Sequence, residues 1–150
     1  MPKRPEKSSI IHACIIKQQL EIEDFEKEIS ALKKEIYSHN ETPSQGDSSA
    51  AERTEVLQRY ESEVGFLKEE LEILQGIDPN SEISQVAPGA VVVTNQRTFF
   101  ISVSIEQVEV NGQDIFGLST KAPIFQSLRG KKVGDKFDFN GIHYEIQDVY

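Results

Sequence analysis

The sequence predicts an α+β protein in which an N-terminal antiparallel coiled-coil hairpin precedes a small β-sheet domain with one short helix. Three observations support this fold class. Two apolar stripes of similar length follow each other in the first half of the chain, a polar segment separates them, and short strand-like runs fill the second half. We expect residues 1–80 to form the hairpin, with an acidic tip near residues 39–50, and residues 81–150 to form the sheet domain.

The first stripe predicts a long helix. Its apolar residues repeat at steps of three, four and seven in a background of Glu and Lys, which is the heptad spacing of a coiled coil. Gln18 stands where one apolar residue of the series is missing, and Ser8 or Ser9 is expected to cap the helix start. The stripe consists of Ile11, Ile15, Ile22, Phe25, Ile29, Leu32 and Ile36.

The second stripe predicts a helix of similar length. Its residues alternate in steps of three and four until Gly76, which is expected to end the helix, and Pro79 prevents its resumption. Gly65 weakens this helix by about 1 kcal/mol relative to Ala. The stripe consists of Leu57, Tyr60, Val64, Leu67, Leu71 and Leu74.

Residues 38–49, between the stripes, contain no apolar side chain. Pro43 and Gly46 break helical structure there, and Asp47, Ser48 or Ser49 can cap the next helix. The matched stripes therefore predict an antiparallel hairpin with arms of roughly 40 Å. A parallel coiled-coil dimer of two chains, with the polar segment as an interruption, stays open as an alternative.

From Val86 onward the pattern is that of a small sheet. We expect about five strands and one short helix, which Pro123 near its start and Gly130 at its end would bracket. Asn111-Gly112 and Asn140-Gly141 are hairpin turn signals. The strand-like runs are Ala90–Thr94, Thr98–Ser104, Ile115–Ser119, Phe137–Phe139 and Ile142–Ile146, and Val108–Val110 leads into the turn at Asn111-Gly112.

The charge of the chain argues against autonomous DNA binding. The net charge is −9, and residues 1–80 carry 17 Asp/Glu against 10 Lys/Arg, while residues 81–150 carry 8 against 6. Duplex-binding proteins usually show a basic face that neutralises phosphates. An acidic hairpin is instead suited to a basic channel, a metal site or another protein.

No catalytic frame is recognisable, and we expect no enzymatic activity of the chain's own. The single cysteine, Cys14, lies one residue off the first stripe and is expected to be a helix-packing residue. His12, His39 and His143 have no metal-ligand spacing, and the chain has no glycine-rich phosphate loop. With no apolar run of membrane-spanning length and no secretory signal pattern at Met1, we expect a cytoplasmic protein.

The segment Ala122–Phe137 resembles a stretch of the Gre-family transcript cleavage factors. In that family a Ser-Pro-Ile-type helix start runs into Leu-x-Gly-Lys-x-x-Gly-Asp and a closing hairpin. Pro88–Val92 is similar to the first strand of the same domain, and the order of coiled coil and sheet also matches. The matching residues in the segment are Pro123-Ile124, Leu128, Gly130-Lys131 and Gly134-Asp135.

The resemblance implies a function in transcription elongation. It implies an FKBP-like sheet domain that sits on the rim of the RNA polymerase secondary channel, while the coiled coil enters the channel. Acidic tip residues then help to hold a second Mg²⁺ at the polymerase active site, where the backtracked RNA end is hydrolysed by two-metal chemistry. RNA polymerase is thus the expected partner, Mg²⁺ is shared with its active site, and the chain is expected to be a monomer without a cofactor of its own.

The tip departs from the family pattern. Classical factors carry Gly-Asp-Leu-x-Glu-Asn-Ala, whereas here Gly46-Asp47 matches but Ala50 stands at the later acidic position. The resemblance makes Asp47, Glu41 and Glu52 the candidate tip acids, for stimulation of cleavage or for inhibition by occupying the channel. Each has a simpler explanation, as a helix cap for Asp47 and as a solvated charge for the other two.

The candidate docking residues are Ala122, Pro123, Ile124 and Phe125. Ala122 stands where the family often has Ser, and Phe125 replaces a usually small residue. An exposed Ile-Phe pair would support binding, whereas a buried pair would belong to the core.

Two other functions remain as alternatives. The first is a coiled-coil adaptor, or protein-interaction module, unrelated to transcription. The second is a prolyl isomerase, which needs an aromatic-lined pocket. The chain has no Trp, and Phe137, Phe139 and Tyr144 are better explained as the core of a hairpin.

Overall fold

The computed structural model describes residues 4–39 and 48–150. Two long helices, α1 (Lys7–His39) and α2 (Ser48–Gln75), precede the strands. The chain divides into two compact units, one formed by Gln18–Leu71 and the other by Met1–Lys17 together with Glu72–Tyr150. We call them the hairpin unit and the sheet unit. The start of α1 and the end of α2 thus belong to the same unit as the sheet, and a domain boundary at residue 80 stays a prediction.

The hairpin unit is an antiparallel pair of helices from one chain. Residues early in α1 contact residues late in α2, since Gln18 bonds to the Leu67 carbonyl, while Phe25 lies edge-on to Tyr60 with 5.5 Å between ring centroids. Ile22 is buried with Val64 and Leu67. The two predicted stripes therefore pack against each other, which confirms the antiparallel hairpin over the two-chain alternative.

Gln18, the polar interruption of the first stripe, is buried with 2% of its surface exposed. Its Nε2 donates hydrogen bonds to the Leu67 carbonyl at 3.1 Å and to Glu70 Oε1 at 3.2 Å. A buried amide is tolerated because its donors are satisfied, and such a pair favours one helix register over others.

The sheet unit contains a six-stranded mixed sheet in the order β3-β4-β2-β1-β6-β5, which confirms the α+β class. All neighbouring strands are antiparallel except β2 and β4, which are parallel. A short helix, α3 (Pro123–Leu128), lies between β4 and β5. The strands are β1 (Val91–Thr94), β2 (Thr98–Ser102), β3 (Ile105–Val110), β4 (Gln113–Ser119), β5 (Lys136–Phe139) and β6 (Ile142–Val149).

The expected number of about five strands was one too low. The segment Val108–Val110 was interpreted as a lead into the turn at Asn111-Gly112, but it is the end of a six-residue strand, β3. Both predicted Asn-Gly turns are confirmed, with positive φ at Asn111 (52°) and Gly112 (74°) and likewise at Asn140-Gly141 (50° and 76°). Such angles are those of the tight turn that matches strand twist.

The central strands are buried on both faces. In the paired strands β1 and β2, Val91 and Phe100 enter one apolar cluster, whereas Val92 and Phe99 enter another. The first cluster includes helix residues of the sheet unit: Ile10, Ile11, Cys14 and Leu74. The second includes the three buried residues of α3: Ile124, Phe125 and Leu128. Burial on both sides explains the continuous apolar runs of these two strands.

Replacement of Gln18 by Ala is expected to lower the free energy of unfolding by about 2 kcal/mol, since it removes two buried hydrogen bonds and leaves a small void. The adjacent exposed Gln19 is the matched control, and Gln19→Ala should change stability by less than about 0.5 kcal/mol. Urea unfolding followed by circular dichroism measures both. Equal losses would contradict the buried role of Gln18.

Replacement of Gly117 by Ala is expected to destabilise the sheet unit by about 2 kcal/mol or more. A Cβ at this position in β4 would lie 2.5 Å from the Val103 carbonyl oxygen and 2.8 Å from Ile105 Cβ. In contrast, a Cβ at Gly65 in α2 meets nothing within 4 Å, so Gly65→Ala should stabilise the protein by about 0.5–1 kcal/mol. Thermal unfolding of the two variants should therefore shift in opposite directions.

Candidate functional site

The structure describes one of the three predicted tip acids, Glu52. Glu41 and Asp47 lie outside the described residues. Glu52 is exposed in the second turn of α2, which begins at Ser48. Ala50, at the position where the family has an acid, is half-buried, and its carbonyl accepts a hydrogen bond from Thr54 Oγ1 at 2.9 Å. The role of all three acids in binding Mg²⁺ stays a prediction.

The described surface of the hairpin unit is strongly acidic. Residues 18–39 and 48–71 contain twelve Asp/Glu and six Lys/Arg, and Glu26 pairs with Lys68 at 3.3 Å on the exposed surface. Such an exposed pair contributes little stability. Within residues 4–39 and 48–150, no group of three or more potential metal ligands converges. The described residues of the hairpin therefore attract cations through distributed negative charge, but they do not form a coordination site for a metal ion.

The predicted docking segment is only partly at the surface. Ile124 and Phe125 are 9% and 5% exposed and pack in the second apolar cluster, which gives them a core role. Pro123 is exposed at the first turn of α3, and Ala122 is half-buried at its N-cap, where no side-chain hydrogen bond caps the helix. A docking function of this segment stays a prediction that depends on Pro123 and Ala122.

The Gly-Lys-x-x-Gly-Asp motif forms a turn that joins α3 to β5. Lys131 and Gly130 exchange main-chain hydrogen bonds with Val86 at 2.9 and 3.0 Å. On the other side, the Gly134 N–H donates to the Ile146 carbonyl at 2.8 Å. The Asp135 carboxylate accepts a hydrogen bond from the Lys132 N–H, also at 2.8 Å.

Two positions of this turn require glycine. Gly130 and Gly134 have φ of 77° and 92°, a left-handed conformation that glycine adopts at little cost. The motif is therefore explained by the geometry of the turn. The sequence analysis recognised this motif but gave no role to the side chains between its glycines. The adjacent cations Lys131 and Lys132 are visible in the sequence, whereas the exposure of Val133 is known only from the structure.

The sheet unit has an open groove of about 850 Å³ beside the start of α1. Arg4 lies on its wall, where it donates to both Asp148 oxygens at 2.6 Å and covers the Tyr150 ring at 4.5 Å. Lys7 is almost buried and donates to the Ser81 carbonyl at 3.3 Å. Burial lowers the pKa of Lys7. These cations have structural partners, so the groove shows no catalytic arrangement.

Cys14 and the aromatic residues of the last hairpin have packing roles. Cys14 is fully buried in the first apolar cluster, as predicted for a helix-packing residue, and burial raises the pKa of its thiol to about 11. A thiol of this kind is a poor nucleophile. Phe137 stacks on Tyr144 at 4.9 Å between centroids. Tyr144 is buried in the second cluster, and Phe137 and Phe139 are partly buried against it. The core interpretation of these aromatic residues is confirmed.

Across the described part of the chain, no helix is both long enough and apolar enough to span a membrane.

Comparisons with known proteins yield only structural likeness. No protein-family model and no curated protein matches the chain. Three solved structures resemble it at 14% sequence identity. They are the transcription factor Gfh1 (92% of this chain and 94% of that chain, TM-score 0.38), GreA factor homolog 1 (Gfh1) of Thermus thermophilus (92% and 95%, 0.34) and Gfh1 of Thermus aquaticus (93% and 95%, 0.38).

The burial of Cys14 has a consequence for alkaline stability. The raised thiol pKa means that the folded protein keeps its proton up to about pH 11, whereas the unfolded thiol loses it near its ordinary pKa of 9.0. Stability is therefore fully present below pH 9 and should fall by about 1 kcal/mol between pH 9 and 10. Urea unfolding at these two pH values measures the loss.

A Cys14→Ala variant is the control for this prediction. It should be less stable at every pH because of the cavity, but its stability should fall much less between pH 9 and 10 than that of the wild type. The remaining fall comes from groups such as Tyr150, whose ordinary pKa of 10.0 is raised by burial to about 12. An unchanged pH dependence in the variant would contradict the assignment to Cys14.

Proposed function

We propose that this protein is a Gre-type transcription elongation regulator that binds RNA polymerase and inserts its acidic coiled-coil tip into the secondary channel. The main support is the combination, in one chain, of an antiparallel helical hairpin and a sheet unit with the Gly-Lys-x-x-Gly-Asp turn. Neither part alone would favour transcription over other functions, because a fold by itself does not specify an activity.

The hairpin has physical properties that suit such a probe. Within the hairpin unit its helices cover residues 18–39 and 48–71, which are 22 and 24 residues and correspond to lengths of about 33 and 36 Å at 1.5 Å per residue. Their facing apolar stripes and the satisfied Gln18 amide hold one register. A stiff arm can deliver a carboxylate to a distant site without the entropic cost of ordering a flexible chain.

The proposed chemistry belongs to the polymerase. Carboxylates at the tip would add ligands for a second Mg²⁺ at the polymerase active site, where two metal ions stabilise the attacking and leaving oxygens of RNA hydrolysis. Asp47 is the first candidate because Gly46-Asp47 matches the family pattern, and Glu41 and Glu52 are the further candidates. No cofactor of the chain's own is needed in this scheme.

The sheet unit would supply the binding energy on the channel rim. In the proposal it acts as the FKBP-like domain of the family, docking through the start of α3 at Ala122 and Pro123. The chain would act as a monomer in the cytoplasm. Since Ala50 replaces one family acid, the proposal covers both stimulation of cleavage and modulation by occupying the channel.

A coiled-coil adaptor function remains the second candidate. It is favoured by the exposed apolar residues on the outer surface of the helices, such as Leu20 at 55% and Phe66 at 50% exposed. In that case the partner would be unrelated to transcription, and the acidic tip would have no special role.

A transcript-cleavage assay tests the proposal. Backtracked elongation complexes of the cognate polymerase are incubated with Mg²⁺ and either the wild-type protein or its Asp47→Ala variant. If the chain is a cleavage factor, the wild type should accelerate RNA cleavage and the variant should lose about tenfold or more of this acceleration, as expected when a metal-binding carboxylate is removed.

Asp24→Ala is the matched control, since it removes an exposed Asp from α1 outside the tip and should cleave like the wild type. If the wild type gives no cleavage but competes with a known cleavage factor, the chain modulates by occupancy. Absence of both cleavage and competition would contradict the proposal and favour the adaptor.

A further inference from the structure

One short segment of this acidic chain is strongly basic. Residues 121–136 carry five Lys/Arg and one acidic residue, Asp135, whereas the other 134 residues carry eleven Lys/Arg and twenty-four Asp/Glu. The densest part is the turn after α3, where Arg129, Lys131 and Lys132 fall within four positions. We call residues 129–133 the basic loop.

The side chains of the basic loop are available to a partner. Arg129 and Lys132 are exposed, Lys131 is half-buried, and Val133 is 56% exposed. Over residues 4–39 and 48–150, no ion pair joins any of these cations to an acidic side chain. A surface charge without an internal partner is free to contribute to binding.

The backbone of the basic loop is held in one conformation. Main-chain hydrogen bonds tie Gly130 and Lys131 to Val86, and the Asp135 carboxylate binds the Lys132 N–H. These bonds account for the glycines and for Asp135 of the motif, but they do not use the side chains of Arg129, Lys132 or Val133. The loop therefore presents its cations and Val133 from a preorganised support, which lowers the entropic cost of binding.

We propose that the basic loop is a docking surface for RNA polymerase. Arg129, Lys131 and Lys132 would contact an acidic patch on the polymerase, and Val133 would contact an apolar site within that patch. This inference rests on the proposed function. It adds a contact distinct from the start of α3, where Ile124 and Phe125 are buried in the core.

The properties of the loop favour a protein partner over nucleic acid. Protein interfaces combine an apolar centre with a charged rim, and exposed Val133 has no role in contacting phosphates. Tight phosphate binding generally uses about six to ten contacts, while the basic loop has three cations in a chain of net charge −9.

The test measures binding of the labelled full-length protein to the cognate core polymerase by fluorescence anisotropy. The double variant Lys131→Gln/Lys132→Gln should bind about five- to tenfold more weakly at low salt, with a smaller difference at high salt because screening removes the charge contribution. Its control is Lys17→Gln/Arg97→Gln, which removes the same charge from two positions of the sheet unit outside the basic loop and should have less than about a twofold effect.

A second pair of variants tests the apolar centre. Val133→Ser should weaken binding about threefold or more at both salt concentrations, whereas Ile142→Ser, at an exposed position in the same unit, should leave it unchanged. Circular dichroism establishes that each variant is folded.

The outcomes separate the two proposals. If the wild type binds polymerase and the loop variants bind equally well, or if both double variants weaken binding equally, the docking surface is wrong while the proposed function stands. If the wild type does not bind polymerase at any salt concentration, both proposals are wrong. If the loop double variant loses binding to a labelled single-stranded DNA and not to polymerase, the loop is a nucleic-acid surface and the protein docking proposal is overturned.

Discussion

The sheet unit depends on burial of strands β1 and β2 on both faces. Val91 and Phe100 pack with helix residues such as Ile10 and Leu74, while Val92 and Phe99 pack under α3. Because successive side chains of a strand point to opposite faces, two adjacent strands can build two separate cores at once. Two cores give this small unit more buried apolar surface than a single core would, which stabilises its fold. The start of α1 and the end of α2 contribute residues to the first core and therefore belong to the same unit as the sheet.

The hairpin unit meets a different constraint, since two helices alone provide a narrow core. Its buried residues are few, and one position of the seam is polar. The Gln18 amide is satisfied by Leu67 and Glu70, so its burial costs little and disfavours a shifted pairing of the helices. For the proposed function this matters more than high stability, because an arm that delivers a carboxylate to another protein's active site must keep one length and one register.

Charge is divided along the chain in a way that matches the two proposed contacts. The described hairpin residues are acidic and suit a cation or a basic channel, whereas the basic loop after α3 suits an acidic surface. Cys14 and the aromatic residues Phe137 and Tyr144, which could otherwise suggest an enzyme, are explained by packing. The function proposed is accordingly that of a regulator whose reaction takes place on its partner.

The sequence by itself determined the features that depend on local chemistry. Heptad spacing identified the two helices, Gly76 marked the end of α2, and Asn111-Gly112 and Asn140-Gly141 specified hairpin turns through their preference for positive φ. Only the tertiary structure showed which surfaces pack together, because periodicity indicates that a face is apolar but not what it packs against. The parallel pairing of β2 with β4, the full strand Ile105–Val110 and the burial of Ile124 and Phe125 in the second apolar cluster are known from the structure alone. Asp47 and Glu41 lie outside the described residues, and the role proposed for them depends on a metal site in another protein, which this chain alone does not define.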